Sequence, residues 1–375
     1  LTFLAAMANQ NHHHNLYLNH NSSPEPTYMT IHFLAANEPL IVDGKPRLGY
    51  FDDALPIINT ADFVYDNPFG QARSDFQKWL GNKEFQYFGG MSDRLIFGCA
   101  IANLRYVAIA FVYVYDIKAQ KLWSRSWRSP LGLGFDLANN SRQGETHFRI
   151  PAIVDIHLRY QDNPREKTLM IKCKGLNIEA RMDEQGLQPM SLCTRTGYSG
   201  WTYTAKSAGQ PLYGFVKLGG EHIDLETIKA YGSLDFSTGY MRRETWWNWA
   251  CSAGEIQAGA RKGQRAGLNL STGVNETSFS ENCFWLNGQC YPLNHAQFKF
   301  DIKDTLQPWQ ITADNGQLQL QFQPMGMHRE KVRAGFLNTH FRQMFGEFQG
   351  CIVLNGEEIC LDGLKGFVED QYIKW

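Results

Sequence analysis

Several features are scarce in this chain of 375 residues. There is no excess of charge of one sign: 36 Lys and Arg stand against 37 Asp and Glu, a formal net charge of −1. No long-range field draws the protein toward nucleic acid or an anionic membrane, so no nucleic-acid partner is expected. No run reaches the roughly 18 apolar residues of a membrane span. The eight cysteines (Cys99, Cys173, Cys193, Cys251, Cys283, Cys290, Cys351 and Cys360) include no C-x-x-C pair, and no His/Cys cluster has zinc-ligand spacing, so no metal is expected. Scattered cysteines in a large chain read as reduced thiols packed as small hydrophobes. The cytoplasm is therefore expected over the periplasm or secretion. A phosphate-binding Gly-Lys-Ser/Thr loop, H-E-x-x-H and G-x-S-x-G are all missing, and PLGLGF (130–135) lacks the strand–turn–helix setting of a dinucleotide site. No cofactor is expected.

Helical periodicity is also scarce. The one candidate is QARSDFQKWLGN (71–82), where Phe76, Trp79 and Leu80 share a face and Gly81 would cap the end. Elsewhere alternation and turn chemistry dominate. RYVAIAFVYVYDIKAQ is rich in Val, Ile and Tyr, and in LNIEARMDEQG the residues Ile178, Ala180 and Met182 alternate with Glu179, Arg181 and Asp183. Asn287-Gly288, Asn315-Gly316 and Asn355-Gly356 each separate apolar runs, and Asn-Gly suits the positive φ of type I′ hairpin turns. Regular short strands joined by turns indicate an all-β sandwich or barrel, and the length suits two such domains. We expect an appended N-terminal segment over 1–28 and β domains over 29–205 and 206–375. The seam is placed at the polar, Gly-rich TGYSGWTYTAKSAGQPLYG (196–214). The start LTFLAAMA ends like a signal peptide but lacks a basic n-region, and the Asn/His run after it is low-complexity.

The densest chemistry lies in DFSTGYMRRETWWNWACSAG (235–254). Gly239 and Gly254 bracket an expected strand in which Trp247 and Trp249 take one face and Trp246 and Asn248 the other. We assign Trp247 and Trp249 to the core side, leaving Trp246 and Asn248 as a ligand-facing wall where polar groups orient an apolar guest. The competing reading makes all the indoles core. Asp235, Arg242, Arg243 and Glu244 form either a structural ion-pair set or a reactive one. In the reactive reading Asp235 and Glu244 are catalytic. A carboxyl dried by aromatics keeps its proton and protonates an alkene or enol, with Arg242 as an anion clamp. Tyr240, Trp247, Trp249, Lys206, Glu281 and Asn282 complete the ligand-binding candidates. Glu281 and Asn282 either line a cavity mouth or close a loop through local hydrogen bonds. Lys206 and Glu369 each place a charge near aromatics, a pattern also given by solvated or paired surface groups.

Several blocks in order resemble the bacterial family called the domain of unknown function numbered twenty-eight hundred and four. They are YTAKSAGQPLYG (203–214), LDFSTGYMRRETWWNWACSAG (234–254), GLNLSTGVNETSFSENCFWLNG (267–288), PWQITADNG (308–316) and the C-terminal FGEFQGCIVLNGEEICLDGLKGFVEDQYIKW (345–375). DGKPRLGY (43–50) and PLGLGF match more loosely. The resemblance implies a lipocalin-like (calycin) two-domain fold, related at fold level to carotenoid hydratase and tocopherol cyclase type proteins. It brings no catalytic residue with it, and fold does not decide function. Three readings stand: an enzyme hydrating, isomerising or cyclising an unsaturated lipid or isoprenoid, including one drawn from a membrane, by acid–base chemistry; a non-catalytic lipid or pigment carrier; or an interaction scaffold without ligand.

Overall fold

The computed structural model describes residues 32–274, 279–313, 315–335 and 337–375. The expected appendage over 1–28, with its histidine run, and the N-E-T-S stretch lie outside the described residues. Two β domains account for nearly all the rest, one a nearly closed barrel and the other a half-barrel. Alternation builds the strands as expected: in Leu176–Asp183, Ile178, Ala180 and Met182 are buried, with Glu179 and Arg181 turned outward. Asn287-Gly288 and Asn355-Gly356 both adopt positive φ (51° and 89°; 51° and 81°), the type I′ pattern. At Asn315-Gly316 the Gly316 N–H donates to the Ala313 carbonyl within a longer loop, so this hairpin turns differently.

The first sheet runs, through antiparallel neighbours, Lys121–Pro130, Val107–Asp116, Leu95–Asn103, Lys83–Met91, Tyr231–Gly239, Gly200–Leu218, Leu176–Asp183, Arg165–Cys173, Val154–Asp162 and Gly144–Ile150. The second runs Gln289–Pro292, Cys283–Leu286, Arg265–Thr272, Glu244–Glu255, Lys365–Lys374, Leu337–Leu354, Leu318–Ala334, Trp309–Ala313 and Ala296–Lys299. The segment read as a seam is one 19-residue strand, Gly200–Leu218, central to the first sheet. Residues 205 and 206 sit inside it. Sheet membership changes instead at 240–243, between Tyr231–Gly239 and Glu244–Glu255. Each sheet has its own apolar core: Phe88, Ile171, Ile178 and Tyr203 in the first, Leu268, Trp309, Phe322 and Phe348 in the second.

The domains are pressed together face to face. Gly209 (φ +85°) forms a bulge in its strand, and a Cβ there would lie 2.7 Å from the Ala266 carbonyl oxygen. A Cβ on Gly267 would lie 2.5 Å from the Ala208 carbonyl. Two backbones approach this closely only where both lack side chains. Tyr113 and Tyr115 pack on Phe345 across the same interface at 4.8 and 5.1 Å. This part of the first barrel's outer face, which would otherwise meet water, is therefore covered.

The helix forms over Asp75–Gly81, held by a capping box between Ser74 and Gln77. It ends on Asn82 in extended geometry, not on Gly81. Its aromatic face does not enter a core: Phe76 and Trp79 are 66% and 44% exposed and stack on each other at 5.8 Å. Periodicity identifies the helix but not whether anything packs on it.

Candidate functional site

Between the domains lies a cavity of about 180 Å³. Two rows of directly opposed residues run along it, most of them in its lining. In the first sheet, pairing aligns Lys206 with Asp235, Asp235 with Tyr87, Tyr87 with Ala100 and Ala100 with Phe111. In the second, Ser271 opposes Trp249, Trp249 opposes Glu369, Glu369 opposes Gln343 and Gln343 opposes His328. Opposed residues share a face, so each row is one stripe, and the stripes meet: Tyr87 packs edge-on to Trp249 at 5.5 Å, and Phe111 lies 5.7 Å from His328.

Period-two alternation explains the first wall. Tyr203, Ala205, Leu234 and Phe236 point into the barrel core, which sends Thr202, Thr204, Lys206, Asp235 and Ser237 to the other face. On an isolated barrel these would be solvated. Here the second domain covers them.

Lys206 Nζ lies 3.1 Å from Asp235 Oδ2, 3.0 Å from Glu281 Oε1 and 4.6 Å from the Trp249 ring centroid. Glu281 arrives from the loop after Arg265–Thr272, with its carbonyl accepting from Asn269 Nδ2 at 2.8 Å. Asp235 Oδ1 also accepts from Ser237 and Thr204 at 2.8 and 3.3 Å. Burial would depress the lysine, but its two carboxylates hold its pKa above the usual value. For Asp235, burial outweighs Lys206 and its hydrogen bonds, and its pKa is raised.

Glu369, 4% exposed, is the more unusual group. Gln343 Nε2 donates to Oε1 at 2.7 Å and Trp247 Nε1 to Oε2 at 3.3 Å. Both bonds favour the carboxylate, yet burial pushes its pKa up to about 8. Lys83, whose pKa burial lowers to about 8, stands at the rim. Lys83, Met241 and Trp375 also border an outer cleft of about 840 Å³, which adjoins the cavity.

Of the residues singled out in the sequence, Asp235, Lys206, Glu281, Trp247 and Trp249 line the cavity. The wall assignment is inverted. Trp247 and Trp249 face the cavity, whereas Trp246 is 48% exposed and Asn248 donates to the Glu369 carbonyl and to Asp370 Oδ1 at 3.3 Å. Parity separated the two faces correctly, but naming the inner one needed the second domain. Glu244 is on the surface, bonded to Tyr372 at 2.9 Å and Lys374 at 3.1 Å, which lower its pKa instead of raising it. It shares no site with Asp235 because the chain changes sheet between them. Arg242, donating to the Gly273 carbonyl at 3.1 Å, and Tyr240, packed on Phe63, Tyr65 and Trp201, border the outer cleft. Asn282 closes its loop: Oδ1 accepts from Ser271 N at 2.6 Å and Nδ2 donates to the Asn294 carbonyl at 3.0 Å. Glu369 was ranked with surface charges. The signal against that was Phe367 and Gln371 at its own parity, a large apolar neighbour on a supposedly wet face.

No helix among the described residues is long and apolar enough to cross a membrane. No protein of curated function matches the sequence. Among solved structures the chain is similar to a Nitrosomonas europaea protein provisionally designated ATTH, with 12% identity over 77% of this chain and 92% of that one (TM-score 0.45). It is also similar to kievitone hydratase from Nectria haematococca, with 9% identity over 77% and 88% (TM-score 0.47). At such identities no residue role transfers. The sequence itself matches the family described as Domain of unknown function (DUF2804) across residues 43–375, and the chain belongs to that family.

Proposed function

We propose that the protein binds a small apolar, unsaturated molecule in the cavity between its two β domains, and that Glu369 protonates it. The observation that carries this reading is the Glu369 carboxyl, buried, uncharged near neutral pH and in the wall of an apolar cavity. The acid delivers its proton to one carbon of an electron-rich double bond, whose π electrons form the new C–H bond. The adjacent carbon becomes cationic. The Trp247 indole suits stabilisation of that charge, since the Trp249 ring already carries Lys206. The cation then takes water, whose extra proton passes to a carboxylate of the Asp235–Glu281 pair, giving hydration. Loss of a neighbouring C–H proton to the same pair gives isomerisation instead. The cavity slightly exceeds the roughly 150 Å³ void that holds one benzene. It therefore takes a one- or two-ring molecule, or the end of a longer isoprenoid lying in the outer cleft.

Two measurements test this. The neutral two-ring fluorophore 1-aminonaphthalene is expected to bind the wild-type protein and Glu369→Gln alike, and to lose binding in Ala102→Trp, which fills the cavity. Failure to bind the wild type removes the cavity reading. Apolar extract of the source cells, incubated in D2O with the wild-type protein, is expected to yield one product carrying a new C–D bond. Glu369→Gln should yield none. Equal incorporation by both proteins removes Glu369 as the acid. Retention of an unaltered lipid by both makes the protein a carrier.

A further inference from the structure

On the outer face of the first barrel, far along the sheet from Lys206, the hairpin of Gly144–Ile150 and Val154–Asp162 carries a second set of groups. Alternation buries Thr146, Phe148, Ile156 and Leu158 in the barrel, so Glu145, His147 and His157 share the opposite face. Glu145 and His147 are two residues apart on one strand, and His147 is directly opposed by His157 on the next. Those two steps, along a strand and across to its neighbour, bring three side chains to one corner.

Both histidines turn the same nitrogen to the same oxygen. Nε2 of His147 and Nε2 of His157 each lie 3.5 Å from Glu145 Oε2. The rings stack with centroids 4.0 Å apart, and the three ligand atoms all lie within 4.8 Å of one another. Ligands held by zinc at about 2.0–2.1 Å in tetrahedral geometry stand about 3.4 Å apart. The two His–Glu edges already have that length, and only the third edge must shorten. His157 Nε2 is buried and makes no hydrogen bond. Arg159 Nε, 3.8 Å from Glu145 Oε1, is the competing cation, but it approaches the other carboxylate oxygen.

We infer that Glu145, His147 and His157 form a binding site for a divalent transition metal of the zinc class, with two imidazoles and one carboxylate as ligands and the remaining coordination open to water. Neither histidine has a place in the cavity chemistry, so the inference stands apart from the proposed function.

The test is calorimetric titration of the full chain with ZnCl2. The three consecutive histidines His12, His13 and His14 are replaced by alanine in every sample, because that run can bind metal by itself. One equivalent is expected to bind with micromolar or tighter affinity. His147→Ala and His157→Ala should each weaken it at least tenfold, and the double variant should abolish it. Co2+ should give visible d–d bands with the parent protein and none with the double variant. Circular dichroism in EDTA checks that the variants fold; if His157→Ala does not, His157→Gln replaces it. Binding that persists unchanged in the double variant, or no binding to the parent at millimolar Zn2+, overturns the assignment.

Discussion

Two ionic clusters stand back to back on the strand Gly200–Leu218, one part-buried and one buried, and they differ in how their charges are matched. Ser207 points into the first barrel, where its hydroxyl donates to Glu184 at 2.7 Å. Around Glu184 the cations Arg142, Arg165 and Lys167 are matched by the carboxylates Asp53, Asp162 and Glu184. One residue earlier, Lys206 points the other way and pairs with both Asp235 and Glu281, with Glu369 nearby. The first cluster is balanced in formal charge, three cations to three carboxylates, as a structural network should be. The second sets one lysine beside several carboxyls in a dry cavity, where burial raises the pKa of Asp235 and of Glu369.

The strongest way to break this contrast is pH. Glu369 ionises near 4.5 when exposed and about 8 in the fold. Between those values the folded protein keeps a proton that the unfolded chain has lost. Its contribution to stability is therefore greatest below pH 4.5 and falls as pH rises to about 8. At about 1.4 kcal/mol per unit the full change approaches 5 kcal/mol as an upper bound. Chemical denaturation from pH 5 to 8.5 should show the wild type losing stability relative to Glu369→Gln. Parallel curves would mean that Glu369 is not protonated in the fold.

Lys206→Met should cost about 3–5 kcal/mol, because it strands two buried acids. Adding Asp235→Asn and Glu281→Gln should recover most of that, a non-additivity readable by urea unfolding. A loss below about 1 kcal/mol for Lys206→Met would remove the central role of its charge. Lys167→Met should cost less, about 1–3 kcal/mol, since Arg165 and Ser207 still serve Glu184, and it should leave fluorophore binding unchanged. The smallest effect is expected at Trp246→Ala, within about 1 kcal/mol, against about 3–5 for Trp249→Ala, whose ring packs on Tyr87 and Phe367. Equal losses at both positions would contradict the assignment of the two faces.

Much of this was legible in advance and some was not. Ile178, Ala180 and Met182 alternate because one face of their strand meets a core, and a period of two is visible in any sequence. The Asn-Gly turns at 287 and 355 are local chemistry and read directly. Asp235 reads as a carboxyl among aromatics, Lys206 as a charge near them and Glu281 as a group at a cavity mouth or a loop closure, and the cavity joins all three. Glu244 and Arg242 were grouped with Asp235 through nearness in the chain, which the change of sheet at 240–243 undoes. Trp246 was preferred to Trp247 because alternation divides a strand into two faces without saying which is inside.

The amino-acid order alone determined the strands, the two-domain β architecture, the near-neutral charge and the partition of each strand into faces. All of these follow from local periodicity, turn stereochemistry and composition. Tertiary structure decided which faces were dry. The polar stripe through Lys206 and Asp235 would be an ordinary wet surface on a lone barrel. It becomes a buried site because the half-barrel carrying Trp249 and Glu369 lies over it, and desolvation depends on what covers a group, not on the residues beside it in the chain.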